Sequence, residues 1–565
     1  LGLSRQVESR HASAYCAGLR VGVCSVVNIT RELGQQFELL LTPAHNSLLA
    51  DYLSRRGGDF YRWYVDWEMA DVIQEALVRH RYSSVLEEFR KGMLDKRISK
   101  QFRNIANTQA NLEHYRSKST PSFTWNINYK VALSCVDQLI GIEHRSLRPK
   151  LLNPGMDLRE VFSNMQASAG VIAPGKTKEE VLDQILDVAM KIKSLIKQHY
   201  PVEEIWLPAI AFHRSQISNF VIDDHVDSSN IKLKDRFVWG EDGASVAVQG
   251  QYARPLIDAM SRSFWQYAGG KDNFTQHMLF YNYCVGKYWI STDISKFDQN
   301  VQSWLIHDAF ELIKARFPES CYDELNWIEY DFIHKKVIGY DGLLFEKDRG
   351  IPSGNYFTQI VGSICNLIMM MTYISSLCDG RFKDKEAFVF KELLPQNSGD
   401  RMYSTAFAMG DDNITFTRTR IDIKSYSTYT KKNFGVSVQA EKSSSGCVEP
   451  PSFLKRIWMY EGEDRPLLEF LLQLIHPEHP RQYDKLGYSP YHILYGLYCT
   501  YKVCIGAIFT EDEIIRGMIR SKYGLKPLLT LGKNSNHSVP GVLRTMTDST
   551  RRYLYDRAIR RNLVA

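Results

Sequence analysis

Apolar residues recur at helical spacing in several stretches of the chain and gather in strand-length runs in others. In KEEVLDQILDVAMKIKSLIK (178–197), Val181, Ile185, Val188, Ile192 and Ile196 fall on one face, which predicts an amphipathic helix. Residues 301–317 carry Ile306, Phe310, Ile313 and Phe317 in the same way. The apolar run at 358–377 predicts a buried helix, and 422–433 predicts another. Residues 60–115, rich in charge and aromatics, also read as helical. GKYWIST (286–292) predicts a buried strand, and KKVIGYDGLLFEK (335–347) a hairpin around Tyr340-Asp341-Gly342. STAFAMGDDNITFT (404–417) reads as two short strands on either side of a tight turn, and 435–439 as one more strand. The polar stretch 379–403 reads as loop. A Gly/Pro/Ser break covers 443–452, and the chain after it reads as mostly helical, ending in the basic tail RRYLYDRAIRR (551–561). Strands and helices mix without regular βαβ alternation, so the pattern predicts α+β layers.

Composition narrows the class only a little. A chain of 565 residues is too long for one ordinary core and suggests three or four domains. Hydrophobic residues at 44% and charged residues at 24% exclude a disordered chain. A net charge of +6 permits a nucleic-acid partner without demanding one. The ten cysteines are scattered with no C-x-x-C pair, which is read as reduced thiols of an intracellular protein. The longest apolar run, NLIMMMTYI (366–374), falls well short of the roughly 20 residues that span a bilayer, so no membrane association is expected. The start, LGLSRQVESRH, has no apolar signal-peptide core and no initiator Met, which leaves a processed or incomplete N-terminus open.

Candidate chemistry centres on acids. AMGDDNI (408–414) puts Asp411 and Asp412 at a hairpin tip, where Gly410 permits the turn. Adjacent carboxylates at a turn repel one another unless a cation neutralises them. STDISKFDQN (291–300) puts Asp293 at the C-terminal end of a predicted buried strand. If the two strands are neighbours, Asp293 and Asp411 converge. Hard oxygen ligands from two strand ends suit Mg²⁺, which keeps waters and substrate phosphates in its shell. Two such ions about 3.5–4 Å apart can activate an attacking oxygen and neutralise a leaving one. Alone, Gly410-Asp411-Asp412 also reads as an ordinary hairpin turn, and the Asp293-x4-Asp298 spacing is a weaker signal still.

The motifs also occur in a telling order. Asp293-x4-Asp298, SGNYFT (353–358), Gly410-Asp411-Asp412 and FLKR (453–456) resemble motifs A, B, C and E of viral RNA-dependent RNA polymerases. DISKFDQNVQSWLI (293–306), GIPSGNYFTQ (350–359) and FLLQLIHPEHPR (470–481) resemble the polymerases of small double-stranded RNA viruses, the partitiviruses and picobirnaviruses. The resemblance covers roughly residues 160–480. It implies a right-hand fold of fingers, palm and thumb, with an antiparallel-sheet palm and a closed, cage-like architecture. On that reading 1–130 is an N-terminal extension bridging fingers and thumb, and 131–285 is fingers. The palm comprises 286–317 and 351–450, a fingers insertion 318–350, and the thumb with the C-terminal tail 451–565. The implied activity is two-metal nucleotidyl transfer of NTPs onto an RNA 3′-OH, with primer-independent initiation. Mg²⁺ is the implied cofactor, with Mn²⁺ able to substitute. The implied partners are an RNA template, the product duplex, NTPs and a viral capsid protein. The resemblance also implies a monomer located in the virion interior or host cytoplasm.

Residue roles follow from the same resemblance. Asp293 and Asp411 would hold the ions directly, with Asp412 alongside. Asp298 would accept a hydrogen bond from the ribose 2′-OH, where reverse transcriptases carry a blocking aromatic. Its ordinary alternative is a surface acid on a first helical turn. Ser353, Gly354 and Thr358 would contact template and nucleotide. The commoner pattern has Asn four residues after the Thr. Here that position is Gly362, and Asn366 follows one turn later, either as a ribose contact or as a core amide satisfied by backbone. KLKDRFVWG (232–240) resembles the tail of motif F, so Lys234 and Arg236 would meet NTP phosphates, with Arg214 of FHRSQ (212–216) upstream. AEKSS (440–444) resembles the end of motif D, which makes Lys442 a candidate general acid for the leaving pyrophosphate; Lys431 and Lys432 are rivals on the preceding helix. Lys455 and Arg456 would hold the primer strand by its backbone.

One motif competes with this reading. GVIAPGKT (170–177) fits the P-loop pattern G-x-x-x-x-G-K-[ST]. A working P-loop follows a buried strand, whereas SNMQASA (163–169) is small and polar. SAG (168–170) instead resembles the small-residue loop of motif G, so Ser168 and Gly170 would contact template RNA, and Lys176 would face RNA or solvent. The remaining alternatives are a reverse transcriptase, a P-loop NTPase or helicase, and a non-catalytic RNA-binding, capsid-associated protein.

Overall fold

The computed structural model describes residues 39–525, except 57–59, 63, 96–100, 104–109, 153–157, 163, 217–233, 265, 269–286, 341, 379–383, 395–403, 460–461 and 478–486. Eight strands in two sheets position the site. They are β1 (Ala209–Gln216), β2 (Lys234–Gly240), β3 (Tyr288–Thr292), β4 (Lys336–Ile338), β5 (Leu344–Glu346), β6 (Ala406–Met409), β7 (Asp412–Thr417) and β8 (Ser444–Gly446). The central sheet runs β8-β3-β7-β6 and is antiparallel throughout. The second runs β2-β1-β4-β5, with β1 and β4 parallel and the outer pairs antiparallel. Helices segregate around these sheets, so the α+β expectation holds.

The helix Thr358–Ser376 is the core on which the central sheet rests. Its side chains from Ile360 to Ser375 are all buried, and it packs on the helix Ile127–Ile140 and on β6. Its length and hydropathy would let it cross a membrane, but 89% of its apolar window is buried inside the fold. The apolar face foreseen at 178–197 is the one that packs inward. Ile185, Val188, Ile192 and Ile196 are buried on the helix Leu182–Lys197, which one 3₁₀ turn, Lys178–Val181, precedes.

A second core joins the two ends of the described chain. The helices Trp67–Arg79 and Ser83–Leu94 bury Ile73, Leu77 and Phe89 against Phe470, Leu472, Leu494 and Ile515. The Asp66 amide donates to the Ile475 carbonyl at 2.8 Å. Arg79 meets Glu513 at 2.7 Å.

Several expectations need correction. Among its described residues the stretch 60–115 contains the helices Trp67–Arg79 and Ser83–Leu94 and enters the 3₁₀ turn His114–Arg116, but it also holds the paired strands Phe60–Arg62 and Gln101–Arg103. The polar 379–403 segment contains the helix Lys385–Leu393, started by Asp384, whose carboxylate accepts the Ala387 amide at 3.1 Å. Nine residues with clustered rather than periodic apolar positions hid it. Residues 435–439 form no strand, only a single bridge between Val438 and Ile294. The region after 452 opens with a three-stranded sheet, Ser452–Phe453, Arg456–Met459 and Gly462–Asp464, before its helices. The turn between its first two strands is Leu454-Lys455, both left-handed at φ 54° and 59°. Such turns normally announce themselves with Asn or Gly, and neither is present.

Candidate active site

The register of β3 and β7 builds the acidic centre. Thr292 pairs with Asn413 at the end of the ladder. One step further, Asp293 follows Thr292 just where Asp412 precedes Asn413. The turn Gly410-Asp411 joins β6 to β7, with Met409 paired to Asp412. Asp411 and Asp412 are exposed and Asp293 is half-buried. The Asp293 backbone is held from the other side. Its amide donates to Ser443 Oγ at 3.0 Å, and its carbonyl accepts the Gln439 amide at 2.8 Å. Lys442, exposed, lies between these two anchors, one residue before Ser443.

The turn itself rests on the buried core helix. Gly410 has φ +67°, and its Cα lies 3.2 Å from where a Cβ on Gly362 would be. That approach lets Ser363 Oγ accept the Gly410 amide at 2.9 Å. Asn366 Nδ2 donates to the carbonyls of Gly410 and Asp411, both at 3.1 Å. Asn366 Oδ1 accepts from Asn413 Nδ2 at 2.8 Å, and the same Asn413 nitrogen donates to Thr292 Oγ1 at 2.6 Å. Asn366 is fully buried. Of its two readings, the core amide satisfied by backbone is the one that fits this placement. Gly362, at the position where the commoner pattern has Asn, gives the turn its seat.

The loop carrying Ser353 and Gly354 is clamped from both sides. Ser353 Oγ accepts the Trp239 amide at 3.1 Å. Gly354 has φ +92°, and a Cβ there would sit 2.5 Å from the Trp239 carbonyl, so a side chain would collide with β2. Thr358 Oγ1 donates to the Pro352 carbonyl and closes the loop onto the helix start. Asp298, exposed on the short helix Phe297–Asn300, accepts the Ile351 amide at its carbonyl at 2.6 Å. Its carboxylate lies close enough to the buried Tyr115 to add to the rise that burial imposes on that phenol's pKa. Acids and loop thus share one backbone frame.

Beneath the loop lies a buried polar network that the sequence did not disclose. Asn355 Nδ2 donates to Glu241 at 3.1 Å, and Gln249 Nε2 donates to the same carboxylate at 2.8 Å. Lys347 Nζ donates to the carbonyls of Ile333 at 2.9 Å and Gly350 at 2.7 Å. Burial pulls the Lys347 pKa down to about 7. Lys335, also buried, bonds Asp331 at 2.8 Å.

β2, which carries Lys234 and Arg236 in its backbone, meets this loop at Trp239, where Ser353 is anchored. The register sets Arg214 opposite Arg236 and Gln216 opposite Lys234; the side chains of these four lie outside the described residues. Lys455 is exposed at its hairpin tip, and the Arg456 guanidinium lies 5.1 Å over the Tyr501 ring. Neither contacts the acids in any described interaction.

The P-loop-like segment is built differently from a phosphate cradle. Among the described residues no strand leads into it; Ser168 makes a single bridge to Thr177. Several of its amides are already occupied. Gly170 N–H donates to Ser168 Oγ at 3.1 Å, Ile172 N–H to Asp242 Oδ2 at 3.2 Å, and Lys176 N–H to the Ala173 carbonyl at 3.1 Å. Asp242 is fully buried and caps the helix Gly243–Ser263 through the Ala244 amide at 2.8 Å. Burial raises its pKa to about 6, although these amides favour the anion. A carboxylate in the position of the cradle repels a phosphate.

The donor set at the acidic turn fits a divalent metal. It offers three hard carboxylates at one sheet edge, accessible to a hydrated ion. Among the described residues neither Asp293 nor Asp411 has an ion-pair partner. The three acids converge in register without closing on a point. Among the described residues, the group of donor atoms that lies within 4.8 Å is His307, Glu311 and Glu329, on other helices, where Lys314 already bonds Glu311 at 2.9 Å and also Glu329.

Comparison with known proteins bears on the family and the fold. The family described as viral RNA-dependent RNA polymerase matches residues 227–516. A curated relative, the RNA-directed RNA polymerase of Cryptosporidium parvum virus 1 (strain KSU-1), is 25% identical over 34% of this chain. The chain spans 42% of that relative's length in the match. The crystal structure of the RNA-dependent RNA polymerase of a human picobirnavirus superposes with a TM-score of 0.61 at 13% identity, covering 93% of this chain and all of the other. An insertion-loop deletion mutant of that polymerase gives 0.55 at 14% identity, covering 89% of this chain and 99% of the other.

Proposed function

The chain belongs to the viral RNA-dependent RNA polymerase family, and we propose that it copies an RNA template into RNA for a double-stranded RNA virus. The register that sets Asp293 beside Asp412 and the Gly410-Asp411 turn carries this reading. The central sheet, with 286–317 and 351–450, is the palm. Residues 131–285 with 318–350 are fingers, and 451 onward is thumb. The segment 1–130 bridges the last two, a reading supported by the core that 65–93 shares with 470–525.

Asp293, Asp411 and Asp412 would hold the divalent ions, for which Mg²⁺ suits the all-oxygen donor set and Mn²⁺ can substitute. Bound there, the ions would lower the pKa of the attacking 3′-OH and offset charge on the leaving pyrophosphate. The protein's own residues do the rest. Asp298 accepts a hydrogen bond from the ribose 2′-OH, and Ser353 and Thr358 keep the loop beside it in place. Lys234, Arg236 and Arg214 bind the triphosphate. Lys442, between the two anchors of the Asp293 backbone, donates a proton to pyrophosphate. Ser168, Gly170 and Gly354 line the template path, and Lys455 and Arg456 hold the primer backbone. Asn366 acts as a positioning residue. Primer-independent initiation, a monomeric state, a capsid-protein partner and a place in the virion or host cytoplasm belong to the same reading.

The test is incorporation of labelled NTP into product on single-stranded RNA, with Asp411→Asn as the control. Template-dependent synthesis by the wild type, absent from the variant, is expected. A preference for dNTP, or ATP hydrolysis without template and without product, would overturn the assignment.

A further inference from the structure

Four ionisable side chains lie buried together beneath the Ser353–Gly354 loop: Glu241, Asp331, Lys335 and Lys347. Burying charge is costly, and an apolar core of the same shape is often as stable as a buried ion pair. Stability alone therefore does not account for this network. Its bonds to the loop give it another use.

Glu241 directly follows β2, the strand assigned to the NTP triphosphate. One oxygen of its carboxylate accepts from Asn355 Nδ2 at 3.1 Å and the other from Gln249 Nε2 at 2.8 Å. Lys335 Nζ lies 3.9 Å away and is itself held by Asp331 at 2.8 Å. Asn355 Oδ1 accepts the Phe357 amide at 2.9 Å, which leaves its nitrogen facing Glu241. Gln249 Oε1 accepts the Tyr356 amide at 3.4 Å. The two side chains gathered by one carboxylate thus hold two consecutive backbone amides at the end of the loop. At its start, Lys347 donates to the Gly350 carbonyl at 2.7 Å. Between these anchors Ser353 and Gly354 rest on Trp239, two residues before Glu241. An ionised carboxylate is acceptor-only, so both of its oxygens can take an amide donor at once.

We propose that Glu241 is a positioning residue for nucleotide incorporation: through Asn355 and Gln249 it holds the Ser353–Gly354 loop in register with β2. The groups assigned to template and ribose then keep a fixed distance from those assigned to the triphosphate. This role rests on the polymerase reading of both segments.

The experiment compares the full chain with Glu241→Gln, with Asn355→Asp and with both together. Steady-state incorporation of each NTP on one primed template is measured well below each melting temperature. Glu241→Gln keeps the Gln249 bond through its oxygen but turns a second donor toward Asn355. Asn355→Asp sets carboxylate against carboxylate. Each should lower kcat/KM about tenfold for every NTP, with RNA affinity within about twofold. In the double variant the new amide donates to the new carboxylate, and each lost bond is restored with the charge moved across. Its kcat/KM should return to within about threefold of wild type, where independent effects would multiply to about a hundredfold loss. A hundredfold loss in the double variant would overturn the proposal. So would single variants that melt earlier yet incorporate NTPs with the wild-type kcat/KM, since that is the signature of a purely structural bond. Glu241→Gln preserves shape and one bond, so its kinetics decide the matter if Asn355→Asp does not fold. Template-dependent incorporation by the wild type tests the polymerase reading separately.

Discussion

Asn366 and Asn413 join side chain to side chain at 2.8 Å beneath the two-acid turn. This bond links the buried helix to β7, and Asn413 extends the link to Thr292 of β3. The height of the turn above the sheet is therefore set from below. Asn366→Ala would leave the Gly410 and Asp411 carbonyls without their buried donor, at about 1–3 kcal/mol per unsatisfied group. The expected outcome is a lower melting temperature and a kcat reduced about tenfold, with KM for NTP little changed. Asn366→Asp should be worse, because it places a carboxylate against two carbonyls. Steady-state incorporation kinetics check both; a change in KM alone would show that Asn366 meets the nucleotide instead.

Asp411→Asn and Asp293→Asn should each reduce synthesis by roughly a thousandfold, the scale of losing several kcal/mol of transition-state charge stabilisation. RNA affinity should stay within about twofold, since neither acid contributes to the basic surface. Filter binding alongside incorporation separates the two effects. Near-normal elongation in either variant would remove that acid from the catalytic set.

Asp298→Ala tests sugar choice. Losing a charge-assisted hydrogen bond costs about 1.5–3 kcal/mol, which is about ten- to a hundredfold in kcat/KM for NTP. A deoxynucleotide never makes that bond, so discrimination between ATP and dATP should narrow by the same factor. Single-nucleotide incorporation on one primed template measures it. Equal losses for both substrates would make Asp298 a general positioning residue, consistent with its carbonyl bond to Ile351.

Asp242 gives a pH signature. Its folded pKa of about 6 lies above the ordinary 3.8, so the folded state holds its proton more tightly than the unfolded state does. The stability from this group is fully present below pH 3.8 and is lost as pH rises through 6. The gap amounts to about 3 kcal/mol. Asn is an equally good helix cap, so Asp242→Asn should fold and lack this dependence. The melting temperature of wild type minus variant should therefore fall between pH 4 and pH 7. A constant difference would show that Asp242 is ionised at little cost.

Much of the candidate site was legible because its parts are local. The acids at 411 and 412 sit at a hairpin tip that alternation and one glycine disclose, and Asp293 ends a run of strand-forming residues. What supports them is not local. Asn366 finds its partners more than forty residues away, at 410–413, so its sequence neighbourhood cannot separate a ribose contact from a core amide. Glu241 and Asn355 are likewise joined only by the fold. The Leu454-Lys455 turn was hidden for another reason: tertiary packing holds two ordinary residues in a conformation that composition would assign to Asn-Gly. The P-loop-like segment misleads in the opposite direction, because its spacing is right while Ser168 and Asp242 each occupy one of its amides.

The core shared by the helices at 67–94 with those at 467–520 also dictates an order of events during synthesis. Arg79 and its partner Glu513 are 434 residues apart. At about 5–20 residues per second, a ribosome needs roughly 20–90 s to bring the second out after the first. Until Phe470 and the helices after it emerge, Ile73, Leu77 and Phe89 have only the residues of their own helix pair to cover them. The first helices made must wait, exposed, for the last ones, so a nascent chain stalled anywhere before Phe470 presents an apolar face that chaperones would be expected to hold.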